Sequence, residues 1–148
     1  MSLKARITED MKTAMRAKDS ARLGAVRLLL AAIKQREVDE RIELDDIQVI
    51  EAIEKMLKQR RDSISQYRAA NRQDLVDVEE FEVKVLQEYL PQALTEEEVN
   101  ALLEKVVVDT GAAGIKDMGK VMAAIKPLVV GRADMGKISG LIKTRLSS

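Results

Sequence analysis

Four lysines occupy matched places in a phrase that is written twice. Residues 117–126 read DMGKVMAAIK and residues 134–143 read DMGKISGLIK, an offset that pairs Asp117 with Asp134, Gly119 with Gly136, Lys120 with Lys137 and Lys126 with Lys143. An aspartate ahead of an apolar stripe, Val121 with Ile125 and then Ile138 with Leu141 and Ile142, predicts two short helices, each N-capped by its own carboxylate. Lys126 and Lys143 fall near the last turn, where the helix dipole favours a cation. Lys120 and Lys137 fall in the first turn, where a cation costs from a few tenths to about 1 kcal/mol, and a helical glycine costs roughly 1 kcal/mol more than alanine. Two accounts cover these costs. In one, bare backbone beside a lysine and free N–H groups makes an anion seat, with phosphate as the expected guest. In the other, the glycines let helices pack closely and the lysines are only solvated.

At 100° per residue the four lysines lie on the polar sides of their helices, away from Val121, Ile125, Ile138 and Ile142. The candidate RNA-binding set is therefore Lys116, Gly119, Lys120, Lys126, Arg132, Lys137, Lys143 and Arg145. Such a surface can grip an RNA backbone by charge and shape, without aromatic stacking.

Other chemistries find little support. The chain has no cysteine and no histidine, which removes thiol nucleophiles, thiolate metal sites and the commonest general base near neutral pH. No phosphate-binding G-x-G-x-x-G or G-x-x-x-x-G-K-[ST] motif occurs. Glu96, Glu97 and Glu98 read as acids at a helix start, and Arg60, Arg61, Arg68 and Arg72 as cations toward a helix end. Met11, Met15, Met56, Met118, Met122 and Met135 read as core filler. No catalytic residue, cofactor or metal ligand is assigned.

The 25 basic and 25 acidic residues cancel, yet they are sorted along the chain. Residues 1–36 hold nine Lys/Arg against three Asp/Glu, residues 111–148 seven against two, and residues 74–110 two against eleven. Either the basic ends meet an external polyanion, or they pair with the acidic middle. The acidic stretch also supports an alternative reading, a protein-interaction adaptor that docks a basic partner.

With 46% apolar and only 2% aromatic residues, the composition suits helix packing better than sheets. Helical spacing predicts elements over 3–17 (Leu3, Ile7, Met11, Met15), 21–38 (Val26, Leu29, Leu30, Ile33), 45–70 (Ile47, Ile50, Ile53, Leu57, Ile64, Tyr67) and 74–89 (Val78, Phe81, Val85, Leu86, Tyr89). Asp19 or Ser20 caps the second and Asp45 or Asp46 the third. Leu90-Pro91 interrupts the pattern, Thr95 and Glu98 form a capping box, and a fifth helix on Val99, Leu102, Leu103 and Val106 stops at Gly111. The two DMGK helices follow, separated by Pro127 to Ala133. The expected fold is all-α and multihelical, with a four-helix N-terminal domain over 1–92 and a small three-helix tail domain over 93–148. No run approaches the roughly 20 apolar residues a membrane span needs. The charged N-terminus does not read as a secretory leader, and a cytoplasmic location is expected.

Three stretches together resemble the YqeY-like family: DMKTAMRAKDSARLGAVRLLLAAIKQREVD, KQRRDSISQYRAANRQDL and the ending DMGKVMAAIKPLVVGRADMGKISGLIKTRL. Through that family the ending is similar to the C-terminal tail of the B subunit of the amidotransferase that amidates misacylated glutamyl- or aspartyl-tRNA. The resemblance implies a helical two-part module that grips tRNA, with tRNA and aminoacyl-tRNA or amidotransferase enzymes as partners. By position, the tail elements fall on Gly119, Lys120, Val121, Met122, Gly131, Arg132, Ala133, Asp134, Ser139 and Lys143. The resemblance also carries an association with carbon–nitrogen ligation using glutamine as amide donor. The ATP-using catalytic domain of that subunit has no counterpart in these 148 residues, so a non-catalytic role is expected.

Overall fold

The computed structural model describes residues 1–147, and the described residues form seven α-helices and no strand. Helices α1 (Leu3–Arg16), α2 (Ser20–Glu40), α3 (Asp46–Ala69) and α4 (Gln73–Gln87) make one compact unit, Met1–Leu90. A second unit begins at Pro91 and holds α5 (Glu96–Thr110), a 3-10 turn (Ile115–Asp117), α6 (Met118–Val129) and α7 (Met135–Ser147).

Local chemistry explains where the helices start. Ser2 accepts from the Ala5 N–H, and Asp19 from the Arg22 N–H. Asp45 and Gln48 cap reciprocally at α3, as Thr95 and Glu98 do at α5. Each supplies acceptors for first-turn N–H groups that have no partner within the helix. Stops are less conventional. Gly111 ends α5 in the left-handed region, the ordinary use of glycine. In the first unit the same left-handed geometry falls to Lys18, Arg41 and Asn71, one in each connection between helices.

The first core gathers Ile7, Val26, Leu29, Ile33, Val49, Ile53, Leu57, Val85, Leu86 and Tyr89. Two expectations need correction. Met15 is exposed, because Ala14 takes the inward place where α1 turns tightly into α2. Val78 and Phe81 are exposed as well, while Val76 is fully buried. Helix α4 is rotated by a polar demand: Glu79 and Glu82, only 13% and 17% exposed, face α3 and share the Arg60 guanidinium at 3.2 and 3.0 Å. Hydrophobic spacing does not reveal an inward-facing carboxylate.

The C-terminal end of α4 is tied back by charge. The Tyr89 hydroxyl donates to Asp10 at 2.6 Å, Arg22 pairs with Glu88 at 2.8 Å, and the Arg6 guanidinium lies 5.1 Å from the Tyr89 ring centre. Burial first, then Asp10, pushes the Tyr89 hydroxyl pKa well above its ordinary value, so it stays a donor.

Gly24 lies in the interior of α2, and a Cβ there would meet nothing within 4 Å. Gly24→Ala is expected to raise stability by about 0.5–1 kcal/mol, because alanine loses less backbone freedom on folding. Urea denaturation of the two proteins checks this, and an unchanged midpoint would refute it.

Candidate nucleic-acid interface

The second core is built from α5, α6 and α7, and the repeat maps it onto itself. Val121, Ile125 and Val129 of α6 are buried, and so are Ile138, Ile142 and Leu146 at the matching places of α7. Leu141, expected inward, is 40% exposed, since Leu146 completes the stripe one turn further on. Pro127, expected to separate the helices, lies inside α6, which continues to Val129. The ring removes one N–H near the helix end, where the loss is a single bond to Ala123, an exposed residue.

Opposite that core, the repeat places like on like again. Lys120 and Lys126 of α6, and Lys137 and Lys143 of α7, are all exposed. On the helical wheel each pair brackets two small residues, Gly119 and Ala123 or Gly136 and Gly140, which are exposed too. Lys116 is exposed on the 3-10 turn that leads into α6.

The two aspartates do different things, which corrects the expectation of two matching caps. Asp134 accepts from the Gly136 N–H at 2.8 Å and the Lys137 N–H at 3.4 Å, so it caps α7. Asp117 makes no cap bond; its carboxylate turns back and accepts from the Ala113 N–H at 2.8 Å. The 3-10 turn runs straight into α6 and occupies the place where a capping residue would be extended. The Ala113 N–H holds the Asp117 carboxyl below its ordinary pKa, and the Gly114 N–H and the ammonium groups of Lys120 and Lys116 add to the effect.

The glycines also separate. At Gly136 a Cβ would stand 3.1 Å from the capping Asp134 oxygen, so that glycine makes room for its own cap. At Gly119 and Gly140 a Cβ would meet nothing within 4 Å. Close helix packing therefore does not account for either.

Lysine and arginine divide the work. Arg132 donates through Nε to the Gln92 carbonyl at 2.9 Å, and its own carbonyl accepts from the Leu94 N–H at 2.8 Å, fastening the chain that enters α5. Arg145 forks onto Glu104 at 2.6 and 3.3 Å. Both are thus engaged inside the unit. Among the described residues Lys116, Lys120, Lys126, Lys137 and Lys143 make no ion pair within 4 Å, although Lys120 and Lys116 stand near enough to Asp117 to lower its pKa, whereas Lys4 pairs with Glu37 and Lys12 with Glu9. Elsewhere Arg22, Arg60, Arg68 and Arg72 take up Glu88, Glu79 with Glu82, Glu80 and Asp74. Much of the acidic middle is thereby paired internally, as the planar guanidinium fork favours. The Glu104 partnership was not visible in sequence, because only the packing of α7 near α5 brings it to Arg145.

A cleft of about 530 Å³ in the first unit, between α2 and α3, is the competing location. Its charged wall is largely self-satisfied, with Arg36 on Glu40 at 2.6 Å and Gln35 on Asp39 at 2.9 Å. Among the described residues no group of three His, Cys, Asp or Glu could hold a metal ion, and no helix is long and apolar enough to cross a membrane.

The family model described as Yqey-like protein matches residues 4–146. The chain belongs to the YqeY-like family. Curated relatives of this YqeY-like chain are proteins named altered inheritance of mitochondria protein 41, mitochondrial. That of Kluyveromyces lactis is 37% identical over 71% of this chain and 58% of its own length. That of Lachancea thermotolerans is 35% identical over 71% and 58%, and that of Eremothecium gossypii 39% over 63% and 53%. The YqeY-like chain spans a little over half the length of these relatives. Their names also overturn the expectation of a cytoplasmic location, which rested on the charged N-terminus and the lack of a membrane-length apolar run: the similar proteins are named as mitochondrial.

Proposed function

We propose that this YqeY-like chain is a non-catalytic tRNA-binding module whose tail lysines hold the RNA backbone, acting beside aminoacyl-tRNA or amidotransferase enzymes. The supporting observation is that the five lysines of α6, α7 and the turn before them are exposed and have no ion pair among the described residues, while Arg132 and Arg145 are engaged within the unit. The resemblance of the ending to the amidotransferase B-subunit tail supplies the choice of tRNA. Glutamine-dependent carbon–nitrogen ligation enters by that resemblance only, and another polypeptide performs the chemistry. tRNA is present in mitochondria, so the reading agrees with the compartment named for the relatives.

Binding of unmodified tRNA at low salt tests this. A Lys120→Ala/Lys137→Ala variant, which alters two exposed side chains without ion pairs, is expected to bind tRNA about tenfold more weakly. Circular dichroism should show its helices unchanged. Parent-like affinity in that variant would sink the proposal.

A further inference from the structure

We infer that the tail grips the phosphate backbone of paired RNA and reads no bases, so that stems of any sequence are held alike. This rests on the RNA-binding reading above and goes beyond it by naming the feature recognised. The most discriminating ways of reading a base are aromatic stacking and forked contacts from Arg, Asn or Gln, and the second unit is poor in groups free for them.

Stacking on splayed bases needs aromatic faces. The aromatic residues of the chain are Tyr67, Phe81 and Tyr89, all ahead of Pro91. Contacts to guanine O6 and N7 come from Arg or Lys in the major groove, which in paired RNA is too deep and narrow for side chains to read, and here Arg132 is anchored through Nε to Gln92 while Arg145 forks onto Glu104. Forked contacts to adenine need Asn or Gln; past Pro91 these are Gln92, ahead of α5, and Asn100, within it, and α6, α7 and the turn before them carry neither type. What α6, α7 and the turn before them offer instead is ammonium groups and bare backbone.

An ammonium is a compact point charge on a flexible stem, suited to a phosphate row and blind to the base behind it. Charge density then selects between paired and single strands. A duplex releases roughly 0.9 counterions per neutralised phosphate and a single strand about 0.7, so each lysine gains more from a stem. Gly119, Ala123, Gly136 and Gly140 keep the middle of the arc between the lysines of each helix at or below a methyl, with Pro127 and Thr144 only at its edge, which leaves the ridge free to approach. Five lysines bound the footprint at about five phosphates.

The experiment uses the full chain with four fluorescent ligands: two RNA duplexes of about 20 base pairs with unrelated sequences, an oligouridine of equal length, and a tRNA transcript. Affinities are measured from roughly 50 to 200 mM salt. The two duplexes are expected to agree within about twofold, with oligouridine about tenfold weaker. The salt slope for duplex should be no steeper than about −4.5, falling by about 1 in Lys126→Ala or Lys143→Ala. Oligouridine binding as tightly as duplex, or a tenfold gap between the duplexes, would overturn the inference. If tRNA bound well in that case, the broader RNA-binding reading would stand. Failure of all four ligands at 50 mM salt would remove both.

Discussion

Ile142→Ala is expected to lower the stability of the second unit by about 3 kcal/mol. Ile142 is fully buried in the middle of α7, in one cluster with Ile125, Val121 and Leu103. Its truncation removes apolar burial from two facing helices and leaves a cavity that a tight three-helix core can only partly close. A unit of about 60 residues has a thin margin, so such a loss leaves much of it unfolded near room temperature. The distribution of aromatics makes this directly measurable. Both tyrosines lie in the first unit, so tyrosine fluorescence reports on that unit while helical circular dichroism reports on both. In the variant, an early dichroism transition should appear without a fluorescence change. Coincident transitions by the two probes would contradict independent cores.

Arg60→Ala is expected to cost about 2 kcal/mol, less than the 3–5 kcal/mol of a fully buried pair because the cluster keeps some contact with water. Its guanidinium stands between Glu79 and Glu82 where α4 packs on α3, and its removal strands two inward-facing carboxylates. The pH dependence identifies the cause. Burial raises the Glu82 pKa above the ordinary glutamate value of 4.5, with Arg60 opposing and Glu79 adding to the rise. A carboxyl with a raised folded pKa binds its proton more readily folded than unfolded, so acidification through that pKa stabilises the fold. Without Arg60 the pKa rises further. The deficit of the variant should therefore shrink between neutral pH and about pH 5.5. Glu37, Asp74 and Glu104 are held low by Lys4, Arg72 and Arg145, so their stabilising contributions are lost only below that window. Urea midpoints of parent and variant at the two pH values provide the check. A deficit that stays constant would assign the loss to packing instead.

How much of this was legible in advance depends on how local the cause is. Helix starts depend on three or four neighbouring residues, and the caps at Asp19, Asp45 and Thr95 follow from side-chain acceptors placed one turn ahead of free N–H groups. Helix stops were harder, because Lys18 and Arg41 take left-handed geometry that their side chains disfavour and that only the packing of the joined helices enforces. The first half of the apolar face of α4 departs from the spacing for the same kind of reason, while Val85 and Leu86 are buried as the spacing predicts. Spacing ranked Val78 and Phe81 inward, whereas the arginine of a different helix drew Glu79 and Glu82 there.

In the tail, the sequence alone determined that two like helices would each carry a buried stripe and a pair of lysines, since identical spacing on a 3.6-residue period has one outcome. It also determined that no imidazole or thiol chemistry is available to this chain. Which cations remain available was decided by tertiary structure only. Arg132 and Arg145 looked equal to the lysines until the fold set them beside Gln92 and Glu104, groups 40 and 41 residues away in the chain. Tertiary structure also separated two aspartates that the repeat made identical, because a capping bond depends on the backbone that precedes it. Periodicity along a helix belongs to the sequence, and partners brought from afar belong to the fold.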